Sequence, residues 1–281
     1  MKKLYTLLVA ALAAGLTLTS QAQGFKVPQA SSAQTITQEF GLGKITVSYS
    51  RPNVKGRKIF GGLEPYGKVW RTGANTATVI TFTDDVTLDG NKVPAGEYAL
   101  FTIPDTKEWT VVLNKTTKQW GAYEYKQADD FLRFKVKPGK TPQPVETFAI
   151  QFENVMPSTA DLHLMWERTD LAVHLTTDVD TRVMAGIATA MNGEKKPYFN
   201  AATYYYENGK DLNKALEWIT EAEKTNTKAP HIKLWKARIQ LKMGNKAAAA
   251  ATAQEGAALA KEQKNDEYVK LNEAVLAQAK S

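Results

Sequence analysis

Between Ser50 and Phe82 the chain reads SRPNVKGRKIFGGLEPYGKVWRTGANTATVITF, and chemistry-bearing side chains crowd its first two thirds. From Lys44 to Arg71, seven cations (Lys44, Arg51, Lys55, Arg57, Lys58, Lys68, Arg71) stand against one anion, Glu64. Arginine offers a rigid planar fork that matches a carboxylate, sulfate or phosphate. Arg51, Arg57 and Arg71 are therefore candidate ligands for an anion. Tyr66 and Trp70 are candidate stacking surfaces for a sugar ring, and Asn75 supplies both a donor and an acceptor. The same residues also have a structural use, in which the arginines pair with sheet carboxylates and loop carbonyls while Trp70 and Tyr66 plug the end of a sandwich. Residue types leave both uses open. Long irregular loops in compact domains are nevertheless where binding residues concentrate.

Other constellations are thinner. If Arg168-Thr169 is a two-residue hairpin turn, His163 falls opposite His174, with Asp161 or Glu167 close enough to complete a metal site. Two imidazoles on one hairpin are an incomplete ligand set, and plain cross-strand pairing on a partly exposed face accounts for them better. Trp120, Tyr123 and Tyr125 in the stretch Lys115–Tyr125 could form a sugar platform or plug a loop, while Trp109 alternates with Val111 and reads as core. The chain has three histidines and no cysteine, so thiolate catalysis, zinc–thiolate sites and disulfides are excluded. It also lacks a Gly-x-Ser-x-Gly elbow, a His-Glu-x-x-His pair and a phosphate loop. A glycosidase-type carboxylate pair could be assembled from Glu64, Glu97, Glu124, Asp129 and Asp130, although nothing in the sequence brings two of them together. No catalytic residue and no cofactor is expected.

The elements that must position these residues are strands first and helices afterwards. Ile45, Val47 and Tyr49 alternate with Thr46 and Ser48. The same period of two recurs at Thr78–Phe82, Trp109–Leu113, Leu132–Val136 and Phe148–Phe152. Gly41-Leu42-Gly43, Asp84-Asp85, Asp89-Gly90-Asn91 and Lys137-Pro138-Gly139 punctuate them as turns. Strands at this spacing with no long helix between them predict an antiparallel β-sandwich of jelly-roll type over residues 23–177. In the hairpin centred on Arg168-Thr169, Leu162, Leu164, Trp166, Leu171, Val173 and Leu175 all fall on one face.

At Asp178 the period changes: Val179, Val183, Ile187 and Met191 recur every four residues, which opens an all-α part over 178–281. Helices follow at about 198–208, 212–226, 230–243, 246–264 and 266–280, the Ala-rich fourth of these reading as a closely packed helix. Small residues recur at 34–35 positions: Gly209 with Gly244, Ala215 with Ala249, and Ala222 with Gly256. The string Ala202, Tyr205, Gly209, Ala215, Ala222 resembles tetratricopeptide repeats, in which small residues let paired helices approach. Tyr198–Ala201 replace that family's early Trp and Leu, and Gln240 stands where an aromatic is usual.

Met1–Ala22 has the form of a signal peptide: Lys2 and Lys3, an apolar run Leu7–Leu18, and Ser20-Gln21-Ala22 as the cleavage site. The run is too short to span a bilayer well. No transmembrane anchor is expected, and the mature chain is expected in the periplasm or outside the cell. Removing Lys2 and Lys3 leaves 34 cations against 29 anions, a mild excess that argues against nucleic acid as a partner.

Longer strings add a resemblance over Ile36–Leu175. They are Ser50-Arg51-Pro52, Lys55-Gly56-Arg57, Ile59-Phe60-Gly61, Pro65-Tyr66-Gly67, Val69-Trp70-Arg71-Thr72-Gly73-Ala74-Asn75, Pro94-Ala95-Gly96, Tyr98-Ala99-Leu100-Phe101 and Trp109. Together they resemble the exported bacterial domain-of-unknown-function family 2911, which implies no activity. The resulting expectation is a non-catalytic envelope protein. Its Arg/Trp/Asn loop would take a small anionic or carbohydrate ligand, and its helical region would meet a protein partner. A glycan hydrolase and a purely structural envelope component are the alternatives.

Overall fold

The computed structural model describes residues 27–281, so the signal-peptide assignment lies outside the described residues. The chain divides into two compact units, one ending at Thr177 and one running Asp178–Ser281.

The first unit is an antiparallel sandwich. Its six-stranded sheet has the order β1-β2-β3-β6-β7-β8, with β1 Ser32–Phe40, β2 Gly43–Arg51, β3 Thr78–Phe82, β6 Gly96–Ile103, β7 Trp109–Asn114 and β8 Asp130–Val136. The second sheet has the order β5-β4-β10-β9, with β4 Val86–Leu88, β5 Asn91–Val93, β9 Gly139–Glu153 and β10 Thr159–Thr176. Alternate residues of both sheets meet in one core, including Val47, Ile80, Leu100, Val111, Phe148, Leu164 and Val173. A smaller apolar cluster on the other face of β6 and β7, formed by Ala77, Ala99, Phe101 and Val112, is covered by Ala122 and Tyr125. Strand β6 is therefore buried on both faces and shows no polar alternation.

Strand β10 folds back on itself. Thr177 N–H donates to Ser158 O at 3.0 Å, and His174 Nδ1 lies 2.7 Å from the Asp161 carboxylate. Thirteen extended residues would separate those two side chains by about 40 Å, so the halves of β10 are the arms of a hairpin. Glu167, at φ +55°, marks the reversal. Strand β9 follows it round: Gly139 and Lys140 pair with Asp170 and Thr169, and Val145 to Glu153 with Glu167 to Asp161, with register shifts beside Glu167. Leu162, Leu164, Trp166, Leu171, Val173 and Leu175 are all buried, as the alternation requires. The register differs from the one expected from a turn at Arg168-Thr169, because the contacts align Asp161, not His163, with His174.

The second unit is six helices: α1 Asp180–Ala190, α2 Tyr198–Glu207, α3 Leu212–Thr225, α4 Pro230–Lys242, α5 Lys246–Glu262 and α6 Asp266–Lys280. Asp211 caps α3 by accepting the Asn213 N–H at 2.8 Å, and Pro230 opens α4 where its missing N–H has no cost. The small residues singled out by their spacing lie in the contacts: Ala202, Ala215 and Ala249 are fully buried, and Ala222 and Gly256 are buried with them.

Candidate functional site

The irregular segment between β2 and β3 is sewn to both sheets. Val54 N–H donates to Glu146 O of β9, and Trp70 and Thr102 of β6 exchange backbone bonds at 2.7 and 2.9 Å. Gly67 N–H reaches Pro104 O, and Ala77 N–H reaches Gln119 O. Gly61, at φ +76°, has the left-handed backbone that favours glycine, and the Tyr66 ring lies 2.4 Å from where a Cβ would be.

Most of the predicted ligand residues are spent on this architecture. Trp70 is only 2% exposed. Its ring stacks on Trp166 at 5.7 Å and meets Phe60, Trp109 and Phe148 edge-on, while its Nε1–H donates to Gly73 O at 3.1 Å. It is the centre of an aromatic cluster and has no face left for a sugar. Arg51 Nε donates to Phe148 O at 2.9 Å, and Arg57 clamps Val54 O and Asn53 O of its own loop. Asn75, at φ +59°, donates its side-chain amide to Ser31 O and Ser50 Oγ, and its own carbonyl accepts Gly121 N–H. These four residues are braces, and the six do not converge on one concavity.

Tyr66 and Arg71 stand apart from that bracing. Tyr66 is 41% exposed. The Arg71 Nε is buried with no hydrogen-bond partner among the described residues. Arg71 and Arg57 act on Glu64, the single anion of the basic segment. Burial pushes the Glu64 carboxyl up to about 7, and the two guanidiniums only partly offset it. A carboxyl poised near neutrality between two arginines can exchange a proton at physiological pH.

Tyr66 lines an open cleft of about 370 Å³ at one end of the sandwich. The floor is Phe60 and Trp109 of the aromatic cluster, and the walls come from the β6–β7 loop (Asp105, Thr106), the β8–β9 turn (Pro138 to Lys140) and the β10 hairpin tip (Glu167 to Thr169). Three cations, Lys58, Lys140 and Arg168, stand at this cleft, and none makes a salt bridge or side-chain hydrogen bond among the described residues. Asp105 accepts Thr106 N–H, and Glu167 accepts Ile59 N–H at 3.3 Å, so both carboxylates are engaged locally.

The chain matches the model of the family described as "Protein of unknown function (DUF2911)" over residues 31–175, more than half its length. It belongs to that family. No curated protein and no solved structure matches the chain. The family strings read in the sequence fall mainly on braces and core, Trp70 and Trp109 above all. The unpaired cleft cations come from Lys58 and from two segments outside those strings.

The remaining candidates separate clearly. His163 pairs with Asp170 at 2.9 Å and His174 with Asp161 at 2.7 Å, and the His174 and Asn154 hydrogen bonds hold the Asp161 carboxyl below its usual range. No group of three or more His, Asp or Glu suited to a metal exists among the described residues. Tyr125 is a plug. It packs edge-on against Phe101, donates its hydroxyl to Asp130 at 2.6 Å and accepts from Arg133 at 2.7 Å. Trp120 and Tyr123 are exposed, at 63% and 85%. No helix of the described residues is long and apolar enough to cross a membrane.

Proposed function

We propose that this is an exported, non-catalytic binding protein of the cell envelope whose β unit takes a small anionic, polyhydroxylated ligand, such as a sugar acid, in the cleft beside Tyr66. The observation that carries the reading is the convergence of three unpaired cations on a cleft with an aromatic floor and an exposed tyrosine. Guanidinium and ammonium groups engage a carboxylate or sulfate, the Tyr66 ring packs on the apolar face of a pyranose, and the Thr106 and Thr169 hydroxyls offer hydrogen bonds. The volume lies in the range of small-ligand sites. Arg71, first expected as a direct ligand, becomes a partner of Glu64 in this reading. Export rests on the Met1–Ala22 segment. The helical unit, read as tetratricopeptide-like, supplies a contact surface for a protein partner. A concavity of about 680 Å³ in this unit is lined by Lys195, Tyr198, Phe199 and Asn226 among others.

Calorimetric titration of residues 23–281 with uronic acids, sulfated sugars and their neutral counterparts tests the proposal. Lys140→Ala and Arg168→Ala should each weaken binding of the charged ligands by about tenfold or more, with melting temperatures unchanged. Absence of binding to every charged and neutral saccharide at millimolar concentration rejects it. Release of product during the titration would favour the hydrolase alternative instead.

A further inference from the structure

Among the described residues the sandwich has four edge strands, and three of them are blunted. Strand β5 is three residues long, β8 carries Arg133 and Lys135, and β9 contains Pro142 and Pro144 and is irregular in register. Short length, charge, proline and irregularity are the usual devices that stop a sheet from growing. Strand β1 has almost none of them. Among the described residues it pairs on one side only, with β2, and it runs nine residues in unbroken register from Ser32↔Arg51 to Phe40↔Gly43. It contains no proline and no lysine, and Glu39 is its single charge.

The centre of this open edge is a palindrome, Gln34-Thr35-Ile36-Thr37-Gln38. An antiparallel strand pair built on a two-fold axis sets residue i against residue j and j against i. Centred on Ile36, that axis places Ile36 against Ile36, Thr35 against Thr37 and Gln34 against Gln38 of the second copy. Every couple is one that cross-strand packing favours, and no like charges meet directly. The Glu39 side chains fall against Ala33, about 20 Å from each other along the strand.

The faces agree with the register. Thr35 and Thr37 are exposed and already form a hydroxyl ladder with β2, Thr35 with Ser48 at 2.9 Å and Thr37 with Thr46 at 3.2 Å. A second β1 would extend that ladder. On the opposite face Ile36 and Phe152 are partly buried against the core cluster, beside an open groove of about 300 Å³ between β1 and β9.

We propose that β1 is a homodimer interface: two copies of this chain pair antiparallel through Gln34–Gln38, joining their six-stranded sheets into one. The pairing is independent of the ligand cleft. Nine paired residues bury less than a standard-size interface, so the dimer should be concentration-dependent rather than permanent.

The test is sedimentation velocity on residues 23–281 from about 1 to 100 µM, a range that brackets micromolar association. The parent protein should pass from monomer to dimer. Thr35→Lys combined with Thr37→Lys places lysine against lysine twice across the axis and should weaken association at least tenfold. Thr35→Lys combined with Thr37→Glu places each new lysine against the other copy's new glutamate and should restore the dimer. Both positions are exposed, so unchanged thermal melts should show that the variants fold. If they do not fold, Ile36→Cys gives an otherwise cysteine-free chain a thiol on the axis, and mild oxidation should link two copies. A parent that stays monomeric at 100 µM overturns the proposal, as do two charge variants that behave alike.

Discussion

Glu64 shows how far one side chain can depart from what its neighbours in sequence suggest. Seven cations around a single anion read as an anion-binding loop, in which the glutamate looks like a minor counter-charge. In the structure burial outweighs both arginines, and its carboxyl titrates near 7 against an ordinary 4.5. A carboxyl raised in this way makes the folded chain bind its proton more tightly than the unfolded chain does. Stability from this group is complete below about pH 4.5 and declines as pH rises to about 7, beyond which the loss is constant. Glu64→Gln, neutral at every pH, should flatten that decline and stabilise the protein at pH 8 by roughly 1–3 kcal/mol, while changing little at pH 4. Urea midpoints measured from pH 4 to 8 on both proteins check this, and parallel profiles would refute it. Arg71→Ala removes the arginine that opposes burial more strongly and should move the decline to still higher pH. None of this was legible in the sequence, because desolvation depends on which residues close over the carboxyl. Trp70 misled for the same reason. Its neighbours are polar and basic, yet its ring is sealed by Phe60 of its own loop and by Trp109, Phe148 and Trp166 from three distant strands.

Elements were far more readable than sites, because local periodicity decides them. The strands at 45–49, 78–82, 109–113, 132–136 and 148–152 and all six helices stand where the alternation placed them. Strand β6 escaped notice because Ala99 and Phe101 are buried on one face and Tyr98 and Leu100 on the other. The β10 hairpin was found with the right faces but a shifted register. Moving an antiparallel pair by two residues keeps every apolar side chain on its side, so hydrophobicity cannot tell the two registers apart. Gly256 offers a sharp test at this scale. By helix propensity alone, alanine in the middle of α5 should stabilise by about 1 kcal/mol. A Cβ there would instead sit 2.2 Å from Oδ1 of the buried Asn272 and 2.9 Å from Lys233 Cβ. Gly256→Ala should therefore lose roughly 1–3 kcal/mol in urea unfolding, as overpacked contacts do. Ala215→Leu, at a fully buried position of α3, should lose a similar amount. A gain in stability from either change would mean that the small residues are not what sets helix approach.

At the scale of the whole molecule, each unit carries its own means of staying folded. The sandwich buries a core of strand residues around Val47, Ile80, Leu113 and Leu171, all before Thr177. The helices bury two clusters of their own, one around Ala215, Ile219 and Ile239 and one around Leu234, Ala237 and Val275. With no cysteine in the chain, stability rests on this burial and on hydrogen bonds, and at more than 100 residues each unit is large enough to fold by itself. Thermal unfolding of residues 23–281 should therefore resolve into two transitions. Residues 23–177 expressed alone should melt cooperatively, within a few degrees of one of them. The assignment can be made inside the full-length protein. Gly256→Ala should lower only the helical transition, and Trp70→Ala, which empties the centre of the aromatic cluster at a cost of about 3–5 kcal/mol, only the other. A single transition moved by both substitutions would mean that the two halves fold as one cooperative body.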